Sequence, residues 1–215
     1  MKNNEYLVKS NEKTGKTTSA SQNAQLVFSA TTPTREKDWY IFTSAFFNLS
    51  KIGCENVLNS KFTKNNKYLS LSIIFNLKHG LEVMLKAFNR NTNPEIDTTD
   101  KHHDIKMIFR DFKNSKSFKN KVNKLKTTSL NKELSKLEKF VERYYGLDFI
   151  NEYLKDSFKI KDKENTFFKY PENSAVIMVD YSTFLDHFTK TDIKNIKSDI
   201  EEIEKIIKKI KNFIS

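Results

Sequence analysis

The sequence predicts an all-α protein built as an up-and-down bundle of helices, and three observations support this prediction. The 215 residues include only four glycines and three prolines, whereas an all-β chain of this length needs many turns and therefore more of both. Hydrophobic residues make up 37% of the chain, and the 18 phenylalanines can supply large buried areas, so a core can form. Apolar residues also recur at steps of three and four over several long stretches, as on the buried face of a helix.

Two segments depart from this helical pattern. Residues 1–30 are polar and poor in large apolar side chains. They cannot bury enough surface to offset the entropy of ordering, so we expect a flexible N-terminal arm followed by one helical domain over residues 31–215. Residues 165–180 combine aromatic and β-branched side chains with a turn signal at residues 171–173, which predicts a small irregular or hairpin excursion.

The first helix is predicted from Thr32 to Leu58, with Thr32 as N-cap and Pro33 in the first turn, where its missing N–H does no harm. Gly53 is either a position where another element approaches closely or one that weakens the helix locally. The only cysteine, Cys54, is predicted to be a small core residue. The stripe expected to face the core consists of Trp39, Phe42, Phe46 and Leu49.

The second helix, predicted over residues 66–90, is the most apolar and should be central. His79, Glu82 and Lys86 follow each other at steps of three and four, so they lie along one side of it. Such groups need partners on a buried helix, because an unpaired buried charge is very costly. The inward-facing residues are expected to be Ile74, Leu77, Leu81, Met84, Leu85 and Phe88.

Three later stretches, residues 105–112, 128–145 and 192–213, have the same helical periodicity. The last one predicts either an ordinary bundle helix or a coiled-coil or dimer interface. Its apolar stripe is Ile193, Ile196, Ile200, Ile203, Ile207, Ile210 and Ile214.

The chain carries a formal net charge of +11, which attracts polyanions, nucleic acid foremost. A lysine-rich, solubilising surface would give the same value. Basic residues are concentrated between residues 101 and 126, where Asp104 and Asp111 are the only acidic residues. We interpret this stretch as a face that contacts RNA phosphates; the alternative is a solvated helix and loop. The predicted RNA-binding residues are Lys101, Lys106, Arg110, Lys113, Lys116, Lys119, Lys121 and Lys124.

The composition also excludes several classes of protein. A single cysteine rules out an intramolecular disulfide and a cysteine-based zinc site. There is no apolar run of about 18 residues and no signal-peptide pattern, so we expect a soluble, cytoplasmic protein without membrane association. We predict no cofactor and no metal, although His79, Glu82, His103 and Asp104 are residue types that a metal ion accepts.

Three segments in a fixed order resemble the HEPN superfamily: NLKHGLEVMLKAF at residues 76–88, KHHDIKMIF at residues 101–109, and FFKYP at residues 167–171. The resemblance covers residues 35 to 210. Lys169 stands where arginine is usual. The matching residues are His79, Glu82, Leu85, Lys86 and Ala87, then His103, Asp104, Ile105 and Ile108, and finally Tyr170 and Pro171.

The resemblance implies a helical bundle, commonly a homodimer, in RNA metabolism, antiphage defence or a toxin–antitoxin pair whose partner protein is encoded nearby. Many HEPN proteins are metal-independent ribonucleases with an arginine, four to six further residues, and a histidine. None of the four arginines here is followed by histidine at that distance. We therefore expect an RNA-binding protein without this nuclease motif; the alternatives are a ribonuclease with a non-standard site and a non-enzymatic scaffold.

The candidate catalytic residues are His79, Glu82, Lys86, His103 and Asp104. A histidine can exchange a proton near neutral pH, and a carboxylate beside it can hold its tautomer. A lysine can stabilise the charge that develops on a phosphate group. The alternative is a buried polar network that ties the loop before the third helix to the central helix.

Overall fold

The computed structural model describes residues 36–92, 103–125, 128–146, 185 and 188–214, and all of its regular structure is helical. The prediction of an all-α bundle is confirmed for these residues. The arm over 1–30, the cap at Thr32 and Pro33, and the excursion near 165–180 lie outside them. The helices are α1 Glu36–Asn59, α2 Lys64–Thr92, α3 Ile105–Asn114, α4 Lys116–Leu125, α5 Thr128–Gly146 and α6 Lys190–Ile214.

Helix α2 is central, because it packs against α1, α3 and α6. All six residues that the periodicity predicted to face inward on α2 are fully buried. Each such side chain contributes roughly 1.5–3 kcal/mol when it leaves water, so α2 supplies a large part of the hydrophobic stabilisation. No helix in the described parts of the chain is both long and apolar enough to cross a lipid bilayer.

Helices α1 and α2 are antiparallel and approach closely at two glycines. A Cβ atom added at Gly80 would lie 2.7 Å from the Phe47 ring, and one added at Gly53 would lie 2.7 Å from Ile73. The predicted close approach at Gly53 is therefore confirmed. Ser50 Oγ donates a hydrogen bond of 3.0 Å to the Ile73 carbonyl across the same interface.

The predicted buried stripe of α1 is partly wrong. Trp39 is buried, but Phe42 and Phe46 are half-buried and Leu49 is 54% exposed. The buried face also carries small and polar residues, because a close helix contact favours small side chains over large ones. A pattern of apolar residues does not identify them. The residues on that face are Tyr40, Thr43, Phe47, Ser50, Cys54 and Val57.

Helix α6 runs antiparallel to both α1 and α5. Lys51 pairs with Glu204 and Glu55 with Lys197, each at 2.8 Å. On the other side, the buried Tyr144 hydroxyl donates to Asp199 at 2.8 Å. All seven isoleucines of the predicted stripe are buried inside this bundle. Of the two interpretations of the stripe, the ordinary bundle helix is the one observed.

Helix α3 lies between α2 and α5 and joins them. Its first turn is capped by Asp104, whose carboxylate accepts a hydrogen bond of 2.8 Å from the Met107 N–H. Ser115 separates α3 from α4 and caps α4 in turn by accepting from the Phe118 N–H at 3.2 Å. Ser115 thus marks the bend between the two short helices, and each helix has its own side-chain N-cap, Asp104 for α3 and Ser115 for α4.

Candidate functional site

Four of the five candidate catalytic residues meet at the Glu82 carboxylate, which we call the Glu82 cluster. Oε1 of Glu82 lies 2.8 Å from Lys86 Nζ and 2.9 Å from His103 Nδ1. Its other oxygen lies 3.5 Å from His79 Nδ1. Because the ionised carboxylate only accepts hydrogen bonds, each histidine presents a protonated Nδ1 to it. The cluster joins α2 to the residue that precedes the α3 cap.

The Glu82 carboxylate is 2% exposed, yet it is held in the ionised form. Burial on its own raises the pKa of Glu82. The hydrogen bond from His79 and the charge and hydrogen bond of Lys86 outweigh this effect and lower the pKa to about 2. A buried carboxylate with several donors is the arrangement in which this outcome is expected.

The cluster opens to solvent on its histidine side. The His103 side chain is 55% exposed and that of His79 is 32% exposed, whereas Lys86 is 13% exposed. The His79 ring is clamped between two aromatic rings, with Phe46 edge-on at 4.5 Å and Phe75 stacked at 5.8 Å. The position of His79 is therefore set by packing as well as by Glu82.

Asp104 is not a member of the Glu82 cluster. Its carboxylate caps α3 through Met107. The pKa of Tyr145 is raised by its burial and then by the Asp104 charge, so Asp104 also interacts with this residue of α5. Residues 103–105 thus serve three separate contacts: His103 reaches Glu82, Asp104 caps α3, and Ile105 enters the core.

Chemically, the Glu82 cluster can orient two imidazoles. A carboxylate on Nδ1 leaves Nε2 as the free, basic nitrogen of each ring, as in a carboxylate–histidine dyad. The same contacts equally anchor the start of α3 to α2. Within the described ranges, no group of three His, Cys, Asp or Glu side chains is arranged to hold a metal ion.

The predicted RNA-binding residues fall into three groups. Lys101 lies outside the described residues, and the side chains of Lys121 and Lys124 on α4 are not described. Lys106 pairs with Glu142 and Lys113 with Glu138, at 2.8 and 2.9 Å, so α5 neutralises two of the predicted cations. The remaining three, Arg110, Lys116 and Lys119, are exposed.

Those three residues form what we call the cationic elbow, on either side of the bend between α3 and α4. Arg110 is 64% exposed, and among the described residues it pairs only with the neighbouring Asp111, at a long distance of 3.9 Å. Lys116 and Lys119 make no ion pair with any residue that the structure describes. The elbow therefore presents positive charge that α5 does not compensate.

A groove of about 420 Å³ separates α3 from α5, next to the cationic elbow. Met107 and the largely buried Phe109 and Tyr145 contribute its apolar surface, and both Lys–Glu pairs lie along it. Lys113 sits 5.3 Å from the Phe109 ring centroid and Lys106 sits 5.6 Å from that of Tyr145. The other lining residues are Asp104, Met107, Arg110 and Asn114.

Sequence reasoning missed the acidic side of this groove. Glu138 and Glu142 are four residues apart on α5, and Lys106 and Lys113 are seven apart on α3. These spacings show that each pair shares a helix face. They do not show that the two faces meet. Asn114 was not singled out for a different reason, since an asparagine at a helix end is typical of a turn.

The chain matches no protein-family description, no curated protein and no solved structure.

Proposed function

We propose that this chain is a HEPN-like, RNA-associated protein of a bacterial defence or toxin–antitoxin type system, which binds RNA through basic residues of α3 and α4. The observation that carries the proposal is the cationic elbow. Seven basic residues and one acidic residue lie between Ile105 and Leu125. Pairing with α5 neutralises two of the seven, and Arg110, Lys116 and Lys119 are each exposed, on two consecutive helices.

Phosphate contacts are the main source of affinity in sequence-independent nucleic-acid binding, and arginine suits them because its planar fork matches two phosphate oxygens. Exposed lysines add point charges that release counterions from the RNA. The three residues of the cationic elbow meet these requirements. The HEPN resemblance supports RNA as the polyanion, and it motivates a homodimer and a partner protein as further parts of this proposal.

A metal-independent ribonuclease is the second candidate, and the Glu82 cluster is the observation that favours it. The ionised carboxylate orients two partly exposed imidazoles, and these can act as the base and the acid in cleaving a phosphodiester. Lys86 would contribute positive charge beside them. Its 2.8 Å ion pair with Glu82 already neutralises part of that charge.

The test is a fluorescence anisotropy titration of a short labelled RNA at several salt concentrations. Wild-type affinity should fall linearly with salt on a logarithmic plot. Arg110→Gln/Lys116→Gln/Lys119→Gln should bind more weakly and reduce the slope by about 2, because each phosphate contact to single-stranded RNA contributes about 0.7. Lys132→Gln/Lys139→Gln/Lys194→Gln removes the same charge from exposed positions elsewhere and should retain the wild-type slope.

Equal losses in the two triple variants would show that only net charge matters, and a wild-type affinity independent of salt would refute the proposal. The bound RNA is then run on a denaturing gel. Cleavage by wild type that disappears in a folded His103→Ala variant would establish the ribonuclease instead.

A further inference from the structure

The groove between α3 and α5 is electrically balanced, unlike the cationic elbow beside it. Three cations and three carboxylates line it, and four of these six groups are already paired as Lys106–Glu142 and Lys113–Glu138. A phosphate entering the groove would meet Glu138, Glu142 and Asp104 at close range. These carboxylates repel a phosphate, so the groove does not suit the RNA backbone.

The groove suits a flat, uncharged, polar group. Its volume of about 420 Å³ falls within the range of roughly 300–1,000 Å³ found for small-ligand sites. Its apolar lining consists of Met107 and of the small exposed parts of Phe109 and Tyr145, which are 3% and 9% exposed, and this lining can contact the edge of an aromatic ligand. Arg110 has a planar guanidinium, 64% exposed, and Asn114 has an exposed amide; such groups stack on bases and bond to their edges in RNA-binding proteins.

The groove and the cationic elbow adjoin each other. Arg110 belongs to both, and Asn114 is the last residue of α3, two positions before Lys116. A strand with a phosphate on Arg110 therefore lies at the mouth of the groove. Each nucleotide of a single strand carries a base that can turn toward the protein, whereas a base in a duplex must first be extruded at an energetic cost.

From this juxtaposition we infer that the groove receives one unstacked base of single-stranded RNA, while the cationic elbow holds the neighbouring phosphates. This inference rests on the proposed RNA binding and adds its substrate class. The three lining carboxylates accept hydrogen bonds and cannot donate them. Bases with an exocyclic amino group should therefore be preferred, so cytosine binds better than uracil although the two have the same size.

The test uses the full chain with three labelled probes of equal length: oligocytidine, oligouridine and a blunt RNA duplex. Oligocytidine should bind most tightly, and the duplex at least several-fold more weakly at the same salt. Asn114→Ala should weaken oligocytidine binding by about tenfold, the scale of one lost base contact. It should also bring the affinities for the two single strands closer together.

The matched control is Asn120→Ala, which removes an exposed amide from α4 outside the groove and should leave all three affinities unchanged. Both asparagines are exposed, so neither substitution removes core packing, and circular dichroism checks the fold. The Lys116→Gln/Lys119→Gln variant should weaken all three probes by a similar factor.

The outcomes separate the two proposals. If no probe binds wild type even at low salt, RNA binding fails and the base site fails with it. RNA binding stands and the base site is overturned under any of three results: the duplex binds as tightly as oligocytidine, oligouridine matches oligocytidine, or Asn114→Ala behaves like Asn120→Ala.

Discussion

Glu82 shows how one carboxylate can be kept charged where water cannot reach it. The side chain lies on the most apolar helix of the chain and is 2% exposed. An unpaired carboxylate there would be neutralised by protonation. Lys86 and the two histidines prevent this, and in doing so they draw the residue before α3 onto α2.

The lowered pKa of Glu82 predicts a specific acid sensitivity. Its pKa in the folded protein is about 2, below the ordinary value of 4.5, so folding favours the ionised form. The resulting stabilisation, about 3 kcal/mol, is fully present above about pH 4.5 and is lost as the pH falls toward 2. Between about pH 4.5 and pH 2, the difference in free energy of unfolding between wild type and Glu82→Gln should therefore shrink by about this amount. Urea denaturation at each pH measures it.

The control for this prediction is Glu201→Gln, which removes an exposed carboxylate on α6. Measured over the same pH range, it shows the effect of removing one carboxylate outside the Glu82 cluster. A difference between wild type and Glu82→Gln that does not change with pH would mean that Glu82 is not ionised at a lowered pKa.

Individual residues were predicted well where they lie on one helix and poorly where they meet across helices. The steps from His79 to Glu82 to Lys86 placed all three side chains on one side of α2, and the structure brings them together. His103 joined this set through the resemblance to HEPN proteins, not through its spacing. The partners of Lys106 and Lys113 could not be predicted, because they depend on how α5 packs against α3.

Helices α1 and α6 are joined at one end by a side chain that helical periodicity does not predict. Lys190, the first residue of α6, donates hydrogen bonds to the carbonyls of Leu58 and Ser60 at 2.9 and 2.8 Å. These carbonyls lie at the C-terminal end of α1, where backbone acceptors have no partner within the helix. A cation there also interacts favourably with the helix dipole.

Lys190→Met should keep the side-chain stem and lose both hydrogen bonds. We expect it to reduce the free energy of unfolding by roughly 1–2 kcal/mol, because hydrogen bonds from a charged donor are lost at a partly exposed site. Hydrogen exchange should also become faster at the amides of the last turn of α1. Both changes are measured against wild type, by urea denaturation and by mass spectrometry respectively.

Lys194→Met is the matched control, since Lys194 is exposed on the same helix and forms no ion pair or hydrogen bond with the described residues. It should alter stability by no more than about 0.5 kcal/mol. If both variants lose the same amount, the carbonyl contacts of Lys190 do not contribute to stability.

The positions of the helices were predicted to within a few residues, because their periodicity is strong. The predicted ranges 66–90, 128–145 and 192–213 correspond to α2, α5 and α6. The buried face of α1 was predicted less well. Thr43 and Ser50 are buried although their side chains are polar, while Leu49 stays half-exposed. Counting apolar residues cannot identify a helix face on which small side chains let a neighbouring helix approach closely.

The isoleucine stripe of α6 belongs to the interior of the bundle. Ile200 is fully buried. Ile200→Ala should therefore destabilise the fold by roughly 2–5 kcal/mol through the cavity that it leaves. This loss should be the same at low and at high protein concentration when unfolding is followed by circular dichroism.

Concentration is the control variable in that experiment. A stripe that formed an interface between chains would make the loss depend on protein concentration, because association is coupled to folding in such proteins. The unfolding midpoint of wild type is measured over the same concentrations. A change in that midpoint would reveal association through a different surface.

The position of α6 also bears on how the protein is made. This helix completes the packing of α2 and α5 and closes the end of α1, yet it follows all of them in the chain. During synthesis, the apolar faces that α6 covers stay open until its residues have been added. A ribosome that stalls before Lys190 would hold a chain with exposed apolar surface, which is the form that chaperones and proteases recognise.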